Sequence, residues 1–218
     1  MKSLILDIDG VIVRDKKLLS HVKYNCVRYV EKKLPACKDP EKANRILYTT
    51  TGHTARGLSQ NFGIDVSDFN KEVYNTQLKT HLWEVLSSTD FQKDAKDLHD
   101  LVRQGWRVTL FSNAPIEWTG EVAHAISDEL FIVCPGSNII ESALKPQASA
   151  YADFPKHHTH VFVDDQMKNL ETARYLPNWH PVLFSTTKTK RSKWCPTIGS
   201  MWELSLIVNS VDQWVQEA

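Results

Sequence analysis

The sequence predicts an α/β protein, a parallel β-sheet core into which an all-helical cap is inserted. Three observations carry this. Short apolar runs of strand type alternate with amphipathic helical stretches through the second half of the chain, the pattern of βαβ units. Between the first apolar run and the second, residues 15–87 offer helical periodicity and no strand candidate, which suggests an insertion. Three strand-type runs end in polar clusters, and open parallel sheets bind ligands beyond the carboxyl ends of their strands.

The elements follow in order. Leu4-Ile5-Leu6 is a short buried strand running into the turn Asp7-Ile8-Asp9-Gly10-Val11. A helix from about Leu18 to Lys33 presents Val22, Cys26, Val27, Tyr29 and Val30 on one face, and Pro35 stops it. Asp39 as N-cap and Pro40 at the first helical position open a second helix towards Tyr48. Further helices are expected over Thr54–Asn61 and from Ser67 or Asp68 to about Leu86, separated at Gly63. Ser88-Thr89-Asp90 caps a crossover helix with Phe91, Ala95, Leu98, Leu101 and Val102 inward, ending at Gly105. Trp106–Phe111 is the second strand and ends in Ser112-Asn113-Ala114-Pro115. A helix near Glu117–Ile126, a strand near Leu130–Cys134, a helix after Lys145-Pro146 and a strand at Val161–Val163 follow, the last ending in Asp164-Asp165. A strand around Pro181–Ser185 and an amphipathic helix over Ser200–Val215 close the core, with Trp202 and Trp214 near helical phase and expected to pack inward. The core is thus expected over 1–14 and 88–218, and the cap over 15–87.

Composition narrows the function classes. With 26 basic residues balancing 26 acidic ones, no net positive field attracts a nucleic-acid backbone, so no extended nucleic-acid surface is expected. The apolar run Leu4–Leu6 is too short for a signal peptide or a membrane span, and the expectation is a cytoplasmic protein with no membrane partner. Cys26, Cys37, Cys134 and Cys195 are scattered, without zinc or disulfide spacing, so reduced thiols are expected.

The strand-end residues support phosphoryl chemistry. Gly10 permits a turn that brings Asp7 and Asp9 towards one cleft, where their roles can differ. A carboxylate nucleophile needs an electrophile relieved of negative charge, and a magnesium ion held by Asp7, Asp165 and a substrate oxygen supplies that relief. Asp9 then serves as acid and base, provided burial or a hydrogen bond raises it above its ordinary value of about 3.9. Lys145 offsets charge on phosphoryl oxygens, and the Ser112 hydroxyl with the Asn113 backbone N–H orients them. Each cluster alone has a plainer reading as a turn or helix cap. Jointly, and in this order, they point to a site.

These motifs resemble the haloacid dehalogenase superfamily along the whole core. Asp7-Ile8-Asp9-Gly10-Val11 looks like the first motif, Phe111-Ser112-Asn113 the second, Lys145-Pro146 the third, and Val163-Asp164-Asp165 the fourth. The resemblance implies a Rossmann-like core, an aspartyl-phosphate on Asp7, Asp9 as acid/base and as a metal ligand through its carbonyl, magnesium, and Asp165 as a direct ligand. Asp164 then acts directly or through water, and Asn169 supports the acidic pair. The second aspartate favours phosphomonoester hydrolysis over carbon–halogen cleavage. A finer resemblance to the pyrimidine 5′-nucleotidase-like branch lies in Tyr48-x-x-x-Gly52 with Gly57-Leu58, in Lys145-Pro146 with Tyr151, and in Phe162–Asp165 with Asn169–Thr172; it implies a nucleoside monophosphate as substrate. On that reading Tyr48, His53 and Arg56 face the substrate from the cap; the plainer one has Tyr48 in the cap core and Arg56 solvated.

Two other functions fit parts of the chain. The basic stretch Lys188, Lys190, Arg191 and Lys193 with Trp194 suits a polynucleotide end-phosphatase, and a degenerate member would bind phosphate or a protein partner without turnover. His157, His158 and His160 lack matching ligands for a metal site and are expected as surface loop histidines.

Overall fold

The computed structural model describes residues 1–187 and 191–216, with side chains excepted at 137 and 211–216. Six parallel strands form one sheet: β1 (Lys2–Leu6), β2 (Arg107–Phe111), β3 (Phe131–Val133), β4 (Thr159–Asp164), β5 (Trp179–Phe184) and β6 (Thr197–Ile198). Their order is β3-β2-β1-β4-β5-β6, so the chain reverses its winding direction beside β1, the position where such sheets open a ligand crevice. Register places Leu6 opposite both Leu110 and Val163, which brings the carboxyl ends of β1, β2 and β4 side by side.

Period-two alternation of the strands divides the core. Leu4, Leu6, Val161 and Val163 face one cluster; Ile5, Phe162 and Phe111 face another with Tyr151, Phe154 and Trp179. Both faces of β1 are therefore buried, which is why its sequence is a continuous apolar run rather than an alternating one. Helices α6 (Thr89–Arg103), α7 (Ile116–Ile126), α8 (Met167–Arg174) and α9 (Met201–Gln216) complete the core. Ser88 caps α6 as expected, its hydroxyl accepting from the Phe91 N–H at 3.3 Å.

Six helices lie between β1 and β2; ahead of α6 come α1 (Lys16–Lys33), α2 (Pro40–Thr51), α3 (Thr54–Phe62), α4 (Val66–Val73) and α5 (Thr76–Leu86). Their starts are chemically explicit: Asp15, Asp39, Asp65 and Asn75 each cap a helix through a side-chain oxygen. The single helix expected up to Leu86 is two, because the Asn75 side chain accepts from the Leu78 N–H and restarts the helix after Tyr74. Gly57 lets α3 lie against α2: a Cβ there would meet Leu47 at 2.8 Å.

Other expectations change. The segment after Lys145-Pro146 is a 3-10 turn, Ala148–Tyr151, rather than a full helix. The strand near Leu130–Cys134 shortens to β3, an edge strand with Phe131 47% exposed and shielded on one side by the Arg107 guanidinium, 3.9 Å from its ring. Trp202 is exposed rather than packed inward; the Trp214 side chain lies outside the described residues. His157 is exposed, but His158 and His160 are buried; His160 lies within the strand Thr159–Asp164, which carries it into the sheet, and His158 immediately precedes that strand. His160 is held by the Pro155 carbonyl at 2.9 Å from Nε2. Of the basic stretch, Lys188 and Lys190 lie outside the described residues, while Arg191 and Lys193 are exposed. The four cysteines are thiols. Among the described residues no helix is long and apolar enough to cross a membrane.

Candidate active site

A cleft of about 520 Å³ opens where β1, β2 and β4 end, roofed by α1 and α2. It gathers Asp7, Asp9, Ser112, Asn113, Lys145 and Asp165 from four separate segments of the chain.

The turn after β1 is a tight knot of backbone hydrogen bonds. The Ile12 and Val13 N–H groups both donate to the Ile8 carbonyl at 2.9 Å, and the Gly10 N–H donates to the Val13 carbonyl at 2.8 Å. Gly10 sits at φ +93°, and a Cβ there would stand 2.7 Å from the Asp165 Cγ. Glycine is required twice over, for the left-handed backbone and for the close approach of the fourth motif.

Lys145 is the electrostatic centre. Its side chain is 3% exposed, and its Nζ lies 2.8 Å from Asp7 Oδ1 and 3.0 Å from Asp164 Oδ2. Burial alone would lower the lysine pKa, but the charges of Asp164 and Asp7 outweigh it and hold the ammonium firmly protonated. Asn113 fixes the backbone that presents it: the Asn113 Nδ2 donates to the Lys145 carbonyl and its Oδ1 accepts from the Lys145 N–H, each at 3.0 Å. The second and third motifs are thereby one unit, with the Asn113 side chain given to positioning Lys145. The Ser112 hydroxyl, buried, accepts from the Ala114 N–H at 3.1 Å.

The acidic pair divides its work. Asp164 is fully buried; its Oδ1 accepts from the Gln166 N–H and Asn169 Nδ2, and its Oδ2 from Asn169 Nδ2 and Lys145. Each oxygen thus has two donors, which uses its lone-pair capacity. Direct metal ligation by Asp164 would have to displace one of them, so Asp164 is the anchor of Lys145 and Asn169 its support. Asp165 reaches the cleft, where the Gln166 Nε2 donates to its Oδ2 at 2.6 Å. Asp7, Asp164 and Asp165 each offer an oxygen within 4.8 Å of the other two, which among the described residues is the one such group able to share a metal ion. Hard carboxylate oxygens of this kind suit magnesium.

Burial pushes the Asp7 carboxyl upward, opposed by Lys145 and reinforced by Asp164. Asp9 is pushed up to about 6, again by burial, against a hydrogen bond from Trp118. That brings its protonated form within reach at neutral pH. The Trp118 Nε1 donates to Asp9 Oδ1 at 3.2 Å. Nothing local in the sequence marks this residue, which joins Asp9 only through the packing of α7.

The three cap residues separate. Tyr48 is 43% exposed in the cleft, with the Lys168 Nζ 5.0 Å from its ring, so it faces the site rather than the cap core. His53 also lines the cleft and caps α3, its Nδ1 accepting from the Ala55 N–H at 3.1 Å. Arg56 is neither substrate-facing nor solvated. It is buried, and its Nε donates to the Ile139 carbonyl at 2.5 Å and its Nη2 to the Ser142 carbonyl, tying α3 to the loop before Lys145.

A parallel sheet wound in this order, with two aspartates leaving β1, a lysine and an acidic pair converging on them, and helices roofing the strand ends, defines a haloacid dehalogenase-type α/β fold. Among solved structures the chain is similar to a predicted phosphatase from Clostridium acetobutylicum (TM-score 0.59, 12% identity, covering 96% of this chain and 98% of that one). It is similar also to a HAD phosphatase from Thermococcus onnurineus (0.55, 16%, 95% and 98%) and to L-2-haloacid dehalogenase from Xanthobacter autotrophicus with chloropropionic acid covalently bound (0.54, 9%, 96% and 98%). The chain has the haloacid dehalogenase fold; at these identities the likeness speaks to the fold alone. No protein-family model and no curated protein sequence matches it.

Proposed function

We propose that the chain is a magnesium-dependent phosphohydrolase that cleaves a small phosphomonoester through an aspartyl-phosphate on Asp7. The observation that carries this reading is the Lys145 ammonium, bridging Asp7 and Asp164 at 2.8 and 3.0 Å inside a cleft that also holds Asp9 and Asp165. The Asp7 carboxylate attacks phosphorus and the bond to the leaving oxygen breaks, while Asp9 hands its proton to that oxygen. A water then attacks the phosphorus of the aspartyl-phosphate, Asp9 takes its proton, and phosphate leaves with Asp7 restored. Lys145 and the cleft-facing amides offset charge on the phosphoryl oxygens throughout. Magnesium, held by Asp7 and Asp165 with the Asp9 carbonyl, would supply Lewis-acid neutralisation of the phosphoryl group.

The second aspartate supports phosphate over a carbon–halogen substrate, because a leaving alkoxide needs a proton and a halide does not. A cleft of about 520 Å³ beneath helices suits a small molecule. Tyr48, half-exposed within it, supports a leaving group with a planar face such as a nucleoside. The test is turnover of a panel of p-nitrophenyl phosphate, nucleoside monophosphates, sugar phosphates and a 3′-phosphorylated oligonucleotide, with magnesium and with chelator. Hydrolysis that requires both magnesium and Asp7, lost in Asp7→Asn, is the expected result. Well-folded protein that turns over nothing in the panel would overturn the reading.

A further inference from the structure

We propose that Trp118 is a positioning residue for Asp9, its indole N–H deciding which carboxyl oxygen carries the proton delivered to the leaving group. The inference rests on the phosphohydrolase reading. Trp118 stands in the first turn of α7, 1% exposed, with Nε1 3.2 Å from Asp9 Oδ1. An indole N–H donates and cannot accept. In the neutral acid the carbonyl oxygen is the better acceptor, so this bond favours Oδ1 as the carbonyl and Oδ2 as the hydroxyl. Without that restraint either oxygen can hold the proton and the carboxyl group can turn about its own axis.

The indole is itself held. Its ring packs edge-on against Tyr74, with centroids 5.3 Å apart and planes at 62°. Tyr74 follows α4 directly and is buried, and it lines both the active cleft and a second cavity of about 620 Å³ bordered by Trp118. Tyr74 thus borders both cavities, and the core residue that grips Asp9 is braced by this residue of the helical block. A plainer role exists, since a buried indole N–H needs an acceptor and Asp9 supplies one. The two roles differ in what they do to chemistry rather than to folding.

The test compares kcat/KM for two substrates, since this parameter reports events up to leaving-group departure. An alkyl phosphate needs proton delivery to its leaving oxygen; 2,4-dinitrophenyl phosphate does not. Trp118→Phe keeps a ring beside Tyr74 and deletes the N–H; site-specific replacement by 3-benzothienylalanine keeps the full bicyclic shape and deletes it too, and serves where the Phe variant folds poorly. For either variant, a loss of about tenfold or more on the alkyl phosphate with less than about twofold on the dinitrophenyl ester is expected. Equal losses on both substrates, or no loss on either, would overturn the positioning role and leave the phosphohydrolase reading standing. Failure of the unaltered protein on both substrates would overturn the phosphohydrolase reading and this inference with it.

Discussion

Replacing Lys145 with methionine keeps the length of the side chain and removes the charge that two buried carboxylates share. Asp7 and Asp164 lie 2.8 and 3.0 Å from the ammonium, and the side chains are 11%, 0% and, for the lysine, 3% exposed, so water replaces little of what is lost. Removing one partner of such a buried pair costs about 3–5 kcal/mol. With a urea dependence of about 2.5 kcal/mol per molar, the unfolding midpoint falls by about 1–2 M near neutral pH in chelator. The sign with pH is also fixed. Burial already holds the folded-state Asp7 carboxyl above its unfolded value, at about 8, and removing the opposing lysine raises it further; a raised carboxylate contributes stability that is fully present below its unfolded pKa and is lost as pH rises through its folded pKa. The deficit of Lys145→Met against the unaltered protein therefore shrinks as pH is lowered through about 8. Urea titrations followed by tryptophan fluorescence measure both quantities. A midpoint within about 0.3 M of the unaltered protein near neutral pH, or a deficit that grows on acidification, would refute the assignment of Lys145 as the buried counter-charge.

Two further outcomes follow from local geometry. Gly10→Ala places a methyl 2.7 Å from Asp165 Cγ at a φ of +93°, so it should cost about 1–3 kcal/mol and raise the magnesium concentration for half-maximal activity by about tenfold; Gly63→Ala, at φ +65° with open space around it, should cost stability without that metal effect, and an unchanged magnesium requirement in Gly10→Ala would count against Asp165 as ligand. Burial, helped by the charge of Arg56, holds the His53 pKa down at about 4, so the folded state resists protonation and the stability this gives is present above about 6.5 and lost as pH falls towards 4. His53→Asn retains an N-cap acceptor and does not titrate; the stability of the unaltered protein relative to that variant should decline across this window, a decline absent if His53 is solvated.

Legibility of the site from sequence depended on whether a residue's job was local. Asp7, Asp9 and Gly10 are contiguous with a buried strand, so strand polarity alone delivers them to the cleft. The same holds for Ser112, Asn113 and Asp165, while Asp164 ends buried behind them. Lys145 carries no local signal and became a candidate through its order among the motifs; its three-residue network with Asn113 and Asp164 appears only when β2 and β4 flank β1. Trp118 was invisible because it meets Asp9 across 109 positions of chain. Arg56 was misjudged because an arginine in a polar helix is usually solvated, and only the folded loop supplies the two carbonyls that take it inward. Two elements failed for related reasons: Asn75 was a legible cap hidden within one apolar periodicity, and β6, two residues long, exists only because β5 offers it an edge.

The Arg56 tether bears on how this architecture can be inherited and recombined. The helical block joins the core through the backbone at its two ends and through contacts such as Tyr74–Trp118, and Arg56 adds hydrogen bonds to the carbonyls of Ile139 and Ser142, just upstream of Lys145. A chimera that exchanged the block at its backbone crossings alone would leave a guanidinium without acceptors, or two carbonyls without a donor, next to the segment that carries the buried lysine. Residue 56 and the segment 139–142 therefore travel as one module, although more than eighty positions separate them along the chain.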